Sequence, residues 1–335
     1  MKHLLILVSI LLSSCTSKSS KEVLVRNFGY TQGTTYHISY MSSNARTYQS
    51  DIDSVLHAVD RSMSTYIDSS IISKINRNES YEVDTLFIRV FETAQMIAQK
   101  TQGAFDPTIA PMVNYWGFGS DELSKKNKED FASLKNSVGY QKISIEKGKV
   151  KKLDLNTQLD FNAIAQGFTV DLVAEHLEKV GIANYMVEIG GEVKCKGLNA
   201  DAKLWQIGVD KTSETIQEER FEAIIEVENT AVASSGNYRK FKVDETTGMK
   251  YAHTINPYTG KPAKSNLLGV TIITESCMIA DATATAFMVM GLNASKKYLE
   301  KNPEIEALLV YSDPKGDLKK YTTNGFKNIQ TYSSN

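Results

Sequence analysis

The chain alternates between stretches with an apolar residue at every second position and stretches with one at every third or fourth. The first pattern is typical of strands and the second of amphipathic helices. Strands are predicted at 23–40, around a tight turn at Gly33, and at 150–160, 185–189, 205–209, 223–227, 231–234, 269–274 and 307–311. Helices are predicted at 49–63, 85–101, 163–180 and 277–290. Because these elements interleave without a strict strand-helix-strand period, the pattern predicts an α+β fold, with mixed sheets flanked by helices, in one two-lobed domain.

Glycine and proline divide these elements. Gly181 and Gly291 follow two of the helical stretches and predict their C-terminal ends. Residues 103–119 are rich in Gly, Pro and aromatic side chains, which indicates an ordered loop lining a site. The charged stretch 120–130 predicts a solvated loop with a short helix, and the strand at 307–311 is expected to close the sheet.

The N-terminus has the pattern of a secretory signal. An apolar run from Leu4 to Leu12 is too short to span a bilayer. It ends in Leu-Ser-Ser-Cys, which resembles the lipobox of bacterial lipoproteins and marks Cys15 for lipidation. We therefore expect a signal peptide at 1–14, a lipidated Cys and polar tether at 15–22, and one folded domain at 23–335. An ordinary secretory signal with a chance cysteine is the alternative.

Composition excludes two classes of protein. The 335 residues carry 38 Lys and Arg against 39 Asp and Glu, a net charge of −1. A nucleic-acid-binding protein usually has an excess of basic residues, so no nucleic acid partner is expected. With 41% hydrophobic residues the chain can bury a large core and is not disordered. Cys195 and Cys277 are too few for a disulfide framework, so we expect buried thiols, with one disulfide as the alternative.

Three segments carry candidate chemistry. Asp281 and Thr285 are four residues apart, which places a carboxylate and a hydroxyl on one helical face, and such oxygen donors suit Mg²⁺. A buried Ala-rich helix with purely structural polar residues is the alternative. The stretch 159–171 runs from a strand into a helix whose first amides can receive a phosphate, although Gly167 could serve close packing alone. The third segment exposes Ser235 and then places His253 before a rigid Pro/Gly loop, although a lone histidine is more often structural.

Eight segments, in order, resemble the FAD:protein FMN transferases of the ApbE family. They are GTTYHISY (33–40), MSTYIDSSIISKIN (63–76), GAFDPTIAPMVNYWGFG (103–119), LDFNAIAQGFTVD (159–171), EIGGEVKCKG (188–197), SSGNYR (234–239), HTINPYTGKP (253–262) and ADATATAFMVMG (280–291). The lipoprotein signal is also typical of that family.

The resemblance implies a Mg²⁺-dependent enzyme that cleaves FAD, transfers FMN to a Thr or Ser hydroxyl of an acceptor protein and releases AMP. It implies that Asp281, Thr285 and the carbonyl of Ala163 bind the metal. His253 is implied as the acid or base, a role that Asp281 could share. The implied FAD contacts are Gly33, Thr34, Tyr66, Ala104, Phe105, Asp106, Asp160, Gln166, Ser235, Gly236 and His253. The implied acceptors are flavoprotein subunits of membrane redox complexes, and the implied location is a lipid anchor on the periplasmic face of the bacterial inner membrane.

This chain also departs from the family pattern at three positions. Gln32, Gln166 and Asn256 stand where Met, Lys and Asp are common.

The aromatic residues Tyr66, Phe105, Tyr115 and Trp116 are candidates to stack on a flavin or adenine ring, or they are core residues. Three other functions stay open: an FAD pyrophosphatase, a flavin-binding lipoprotein without activity, and a solute-binding lipoprotein of a transporter.

Overall fold

The computed structural model describes residues 22–119, 131–211, 220–236, 241–243 and 250–333. The helices of these residues are α1 (Gln49–Met63), α2 (Ile71–Asn76), α3 (Thr85–Lys100), α4 (Ala110–Tyr115), α5 (Phe131–Ser137), α6 (Ala165–Lys179), α7 (Cys277–Lys301) and α8 (Asn324–Ile329). The strands are β1 (Val23–Thr31), β2 (Thr34–Ser42), β3 (Ile143–Glu146), β4 (Lys149–Lys152), β5 (Tyr185–Ile189), β6 (Glu192–Lys196), β7 (Trp205–Asp210), β8 (Phe221–Val227), β9 (Thr230–Gly236), β10 (Phe241–Val243), β11 (Lys250–Ala252), β12 (Ile255–Asn256), β13 (Lys261–Pro262), β14 (Leu267–Thr274), β15 (Glu306–Ser312), β16 (Leu318–Thr322) and β17 (Gln330–Ser333).

Eight strands form the main sheet, in the order β1-β2-β5-β6-β9-β14-β15-β16. Every neighbouring pair in it is antiparallel. A second antiparallel sheet has the order β17-β8-β7, and three short hairpins complete the strands of the described residues. The α+β class is confirmed, and these sheets are antiparallel throughout rather than mixed.

The main sheet is covered on both faces, because side chains alternate between faces along a strand. Ile272 of β14 and Leu309 of β15 pack against α7. Their neighbours Ile273 and Leu308 pack instead against β7 and β8. Helix α6 packs on the α7 side, against β2 and β5. Helices α6 and α7 therefore lie together on one face, and the smaller sheet, together with Phe326 of α8, covers the other.

The helix ends follow from capping residues. Ser276 precedes α7 and accepts a hydrogen bond from the backbone N–H of Ile279 at 3.4 Å. Gly181 follows α6 with a φ of +88°, as its predicted role at a helix end requires. Gly291 has a φ of 75° and breaks the helical backbone of α7, after which a second helical segment continues to Lys301. The predicted helix therefore ends at Gly291, but helical structure resumes after it.

Three other predictions need correction. The expected loop at 103–119 contains α4, whose first turn accepts Pro111 because the missing N–H of proline is not needed there. The expected strand at 150–160 ends at Lys152, since Leu153 and Leu155, which supplied the alternation, are 83% and 61% exposed. The strand at 307–311 does not close the sheet, because β16 pairs with its outer edge.

Cys195 and Cys277 are free and buried, as predicted. Among the described residues, one helix, α7, is apolar and long enough to cross a membrane, but most of its apolar stretch is buried inside the fold. The predicted signal peptide at 1–14, Cys15 and the stretch 120–130 lie outside the described residues.

Candidate active site

Helices α6 and α7 meet backbone to backbone at Gly167. A β-carbon on Gly167 would lie 2.4 Å from the carbonyl oxygen of Cys277 and 2.9 Å from Cα of Met278. No side chain fits at such distances, so glycine is what allows the two helices to touch. The close-packing role considered for Gly167 is confirmed.

Asp281 lies on α7, one turn after this contact, and is only 7% exposed. The backbone N–H of Gly167 donates a hydrogen bond to Oδ2 of Asp281 at 3.2 Å. Burial raises the pKa of Asp281 from its ordinary 3.8 to about 7, and the hydrogen bond from Gly167 opposes this shift. A buried carboxylate with so little stabilisation takes up a proton or a cation readily.

Thr285 lies one further turn along α7, where its hydroxyl meets the end of β9. Its Oγ1 is 3.3 Å from Oγ of Ser235. Gly236 follows Ser235 and pairs with Gly269 of the neighbouring strand. The fold therefore brings the Ser235–Gly236 segment to the Asp281 and Thr285 pair.

The loop before α6 holds Asp160 and Ala163. The Asp160 carboxylate accepts a hydrogen bond from the backbone N–H of Asn162 at 2.7 Å. Burial raises the pKa of Asp160, and the hydrogen bonds from Asn162 oppose the rise. Ala163 is partly buried in the turn that leads into α6, and the role of its carbonyl as a metal ligand stays a prediction.

Asp106 organises the neighbouring loop. Its Oδ1 accepts hydrogen bonds from the backbone N–H and the hydroxyl of Thr108 at 2.8 and 2.6 Å, and its Oδ2 accepts one from the N–H of Tyr140 at 2.9 Å. The side chains of Ala104 and Phe105 are buried. Any contact of this segment with FAD would therefore use its backbone rather than these side chains.

The β1–β2 turn lies against the start of α6. Gln32 donates a hydrogen bond from Nε2 to Oγ1 of Thr169 at 2.8 Å. A β-carbon on Gly190 would lie 2.9 Å from the Thr34 methyl group and 3.0 Å from Nε2 of Gln166. Thr34 and Gln166, predicted separately from distant motifs, are thus neighbours at one end of α6.

Comparison with known proteins identifies the family of the chain. The ApbE family model matches residues 32–309. The chain belongs to the ApbE family. It is 36% identical over 333 residues to the FAD:protein FMN transferase of Vibrio cholerae serotype O1, with 97% of each protein covered. A protein of the same name from Haemophilus influenzae is also 36% identical, with 92% of each covered.

The solved structure of the flavin transferase ApbE from Vibrio cholerae has the same fold. The TM-score is 0.82 at 35% identity, with 92% of this chain and 99% of that chain covered. Together with the relatives, this likeness confirms the predicted class of enzyme, a transferase.

Of the four aromatic residues predicted near the site of this ApbE protein, one is well exposed. Tyr66 is 65% exposed, and partial burial together with the charge of Asp160 raises its pKa, so the phenol lies near that carboxylate. Phe105 is a core residue. Trp116 donates a hydrogen bond from Nε1 to the carbonyl of Gly260 at 2.8 Å, and Tyr115 packs edge-on against it. Tyr66 is therefore the best placed of the four to stack on a ligand.

His253 lies partly buried at the bend between β11 and β12. The loop after it is fixed as predicted, because Oδ1 of Asn256 accepts hydrogen bonds from the backbone N–H groups of Tyr258 and Thr259 at 2.9 and 3.2 Å. Asn256 thus keeps the turn chemistry of the aspartate common in the ApbE family. The acid or base role of His253 stays a prediction.

Sequence reasoning missed Asp171 and Lys194 as parts of the site. Asp171 is the last residue of the motif at 159–171, yet nothing in the spacing of that motif predicts a contact with the start of α7 more than a hundred residues later. Lys194 of β6 forms an ion pair with it at 2.8 Å. The one available signal was Asp171 itself, a charged residue within the otherwise uncharged and mostly apolar stretch 168–174.

Proposed function

We propose that this ApbE protein is a Mg²⁺-dependent FAD:protein FMN transferase. It would cleave the pyrophosphate of FAD, attach FMN to a threonine or serine hydroxyl of an acceptor protein and release AMP. The observation that carries the proposal is the buried Asp281, one turn from Thr285 and bonded to the start of α6 through Gly167. The names of the relatives at 36% identity support it.

The candidate metal ligands fit Mg²⁺. The Asp281 carboxylate, the Thr285 hydroxyl and the Ala163 carbonyl all offer oxygen, the donor that this ion prefers. Within the described ranges there is no group of three or more His, Cys, Asp and Glu that could hold a metal. Mg²⁺ commonly takes one or two carboxylates from the protein and the rest from substrate phosphates and water. When bound, the ion neutralises pyrophosphate charge and stabilises the charge that develops during phosphoryl transfer.

The proposed reaction is an in-line displacement at phosphorus. The acceptor hydroxyl oxygen forms a bond to the phosphorus of the FMN half. The bond from that phosphorus to the bridging oxygen breaks, and AMP leaves with the bridging oxygen. The hydroxyl proton passes to a base of the protein, for which we propose His253, with Asp281 as the alternative.

The residues around the start of α6 would bind FAD. Thr34 and Gln166 lie together there, and the backbone N–H groups of this helical end suit a phosphate. Tyr66 lies near Asp160 at the exposed rim, where its ring can stack on the adenine or flavin. Gln166 supplies no positive charge, so we propose that FAD is held here by hydrogen bonds and stacking.

The proposed acceptors are flavoprotein subunits of membrane redox complexes. Lipidation at Cys15 would hold the enzyme on the periplasmic face of the inner membrane. Confinement to one surface raises the effective concentration of enzyme and acceptor. The sequence pattern at 1–22 supports lipid anchoring outside the cytoplasm.

The decisive experiment incubates the protein from Thr16 onward with FAD, Mg²⁺ and a threonine-containing acceptor domain. AMP release and acceptor mass are followed together. We expect a mass gain of one FMN on the acceptor, lost with EDTA. AMP and free FMN without labelling of any acceptor tested would favour a pyrophosphatase, and bound but intact FAD would favour a carrier.

His253→Ala is expected to lower the transfer rate about 10²-fold with FAD affinity changed less than about threefold, because a general base acts on the proton and not on the bound nucleotide. Turnover and FAD binding are measured separately. His57→Ala, an exposed histidine on α1, is the control and should behave as wild type. Lost FAD binding with normal turnover per bound complex would instead make His253 a ligand contact.

A further inference from the structure

Asp171 is a buried carboxylate on α6 that bonds to the start of α7. It is 5% exposed. Its Oδ1 accepts hydrogen bonds from Nζ of Lys194 at 2.8 Å and from the N–H of Cys277 at 3.1 Å. Its Oδ2 accepts from the hydroxyl of Ser276 at 2.8 Å and from the N–H of Met278 at 3.0 Å. One side chain therefore joins α6, β6 and the first turn of α7.

Together with the Gly167 contact, this makes two bonded points between the helices. Asp171 bonds to the backbone at Cys277, and the backbone of Gly167 bonds to Asp281. On each helix the two points are four residues apart, about one turn. A single bonded point would fix the separation of the two helices at one position only, whereas two points one turn apart also fix the rotation of α7 against α6.

The charges at this junction also favour a carboxylate at the position of Asp171. The N-terminus of a helix carries unsatisfied N–H groups and a partial positive charge, which favour the Asp171 carboxylate there. Lys194 offsets the remaining negative charge of Asp171. Asp171 can therefore lie near Asp281 without making the metal site doubly negative.

We infer that Asp171, with Lys194 and Ser276, is a positioning residue for the metal ligands. It holds α7 at the rotation that presents Asp281 to the start of α6 and Thr285 to the end of β9. The inference rests on the proposed function for the identity of the metal as Mg²⁺. It predicts that loosening this junction weakens metal binding even where the protein remains folded.

The test compares Asp171→Asn with Ser276→Ala, the milder variant, which changes no charge. The control is Glu222→Gln. Glu222 is also buried and forms an ion pair with Lys320 at 2.5 Å, but it lies on the smaller-sheet side of the fold. The Mg²⁺ concentration at half-maximal effect is measured by the thermal shift of the FAD-bound protein and by calorimetric titration. FMN transfer is assayed over the same Mg²⁺ range.

Asp171→Asn is expected to raise the half-maximal Mg²⁺ concentration about 10- to 100-fold, the usual effect of losing a residue that orients a metal ligand. Ser276→Ala should raise it about threefold, and excess Mg²⁺ should restore transfer in both. Glu222→Gln should lower the melting temperature with an unchanged Mg²⁺ midpoint.

An unchanged midpoint in Ser276→Ala and in any folded Asp171→Asn would overturn the inference and leave Asp171 a purely stabilising residue. Absence of FMN transfer by the wild type would count against the proposed function alone, since the Mg²⁺ midpoints are read from binding.

Discussion

Asp281→Asn is expected to reduce FMN transfer about 10³-fold and, at the same time, to make the metal-free protein more stable. Asparagine keeps the shape of the side chain and still accepts the hydrogen bond from Gly167. It removes the negative charge that the proposed Mg²⁺ site requires, which accounts for the loss of rate. It also removes a charge that is buried at 7% exposure, which accounts for the gain in stability.

The gain in stability of the metal-free Asp281→Asn variant over the wild type should increase with pH. The pKa of Asp281 is raised to about 7 in the fold and returns to about 3.8 in the unfolded chain. Well below pH 3.8 the carboxyl group is protonated in both the folded and the unfolded chain, so it costs no stability. As the pH rises toward 7 the unfolded chain ionises first, and the wild type loses stability progressively, by on the order of 4 kcal/mol above pH 7. The stabilisation by Asp281→Asn should therefore be small at pH 4, grow as the pH rises, and reach its full value by about pH 8.

The measurement is the melting temperature in EDTA from pH 4 to pH 8, beside the rate of FMN transfer in Mg²⁺. Adding Mg²⁺ to the FAD-saturated protein should raise the melting temperature of the wild type further but not that of the variant, because a ligand stabilises only the fold that binds it. Asp68→Asn, a fully exposed carboxylate, is the control and should change neither quantity. Transfer at the wild-type rate by Asp281→Asn would rule out the proposed metal ligand.

The fold was predictable where one face of an element is buried. Helix α1 occupies the predicted 49–63, and strand β5 the predicted 185–189, because in both the buried side chains recur at the period of the element. The prediction was wrong at 150–160, where Leu153 and Leu155 alternate like buried residues but are exposed. An apolar pattern reports what a segment is able to bury, and tertiary contacts decide whether anything covers it.

The candidate site was predictable as far as local spacing reaches. The four-residue interval between Asp281 and Thr285 places both on one face of α7 whatever the rest of the chain does. The contact of Asp281 with Gly167 spans 114 residues, and that of Ser235 with Thr285 spans 50. Such contacts depend on how α6, α7 and β9 pack together, and one sequence contains no direct signal for them.

Gly167→Ala is expected to destabilise the protein by about 3 kcal/mol and to remove most FMN transfer. Helix propensity alone predicts the opposite, a gain of about 1 kcal/mol, because alanine is the better helix former. The added methyl group would lie 2.4 Å from the carbonyl oxygen of Cys277, and a backbone atom has no rotamer by which to move away. The helices must separate, at the cost typical of an overpacked core, and the N–H of Gly167 moves away from Asp281.

Gly181→Ala is the matched control for this substitution on the same helix. Gly181 follows the far end of α6 with a φ of +88° and has no atom within 4 Å of an added β-carbon. Its replacement should cost about 1 kcal/mol through backbone strain and leave transfer unchanged. Thermal unfolding and transfer assays on both variants separate the two causes, since strain alone lowers stability, whereas separation of α6 from α7 lowers stability and activity together. Wild-type stability and transfer in Gly167→Ala would mean that α6 and α7 can part without disturbing Asp281, and the backbone contact would then have no role in shaping the site.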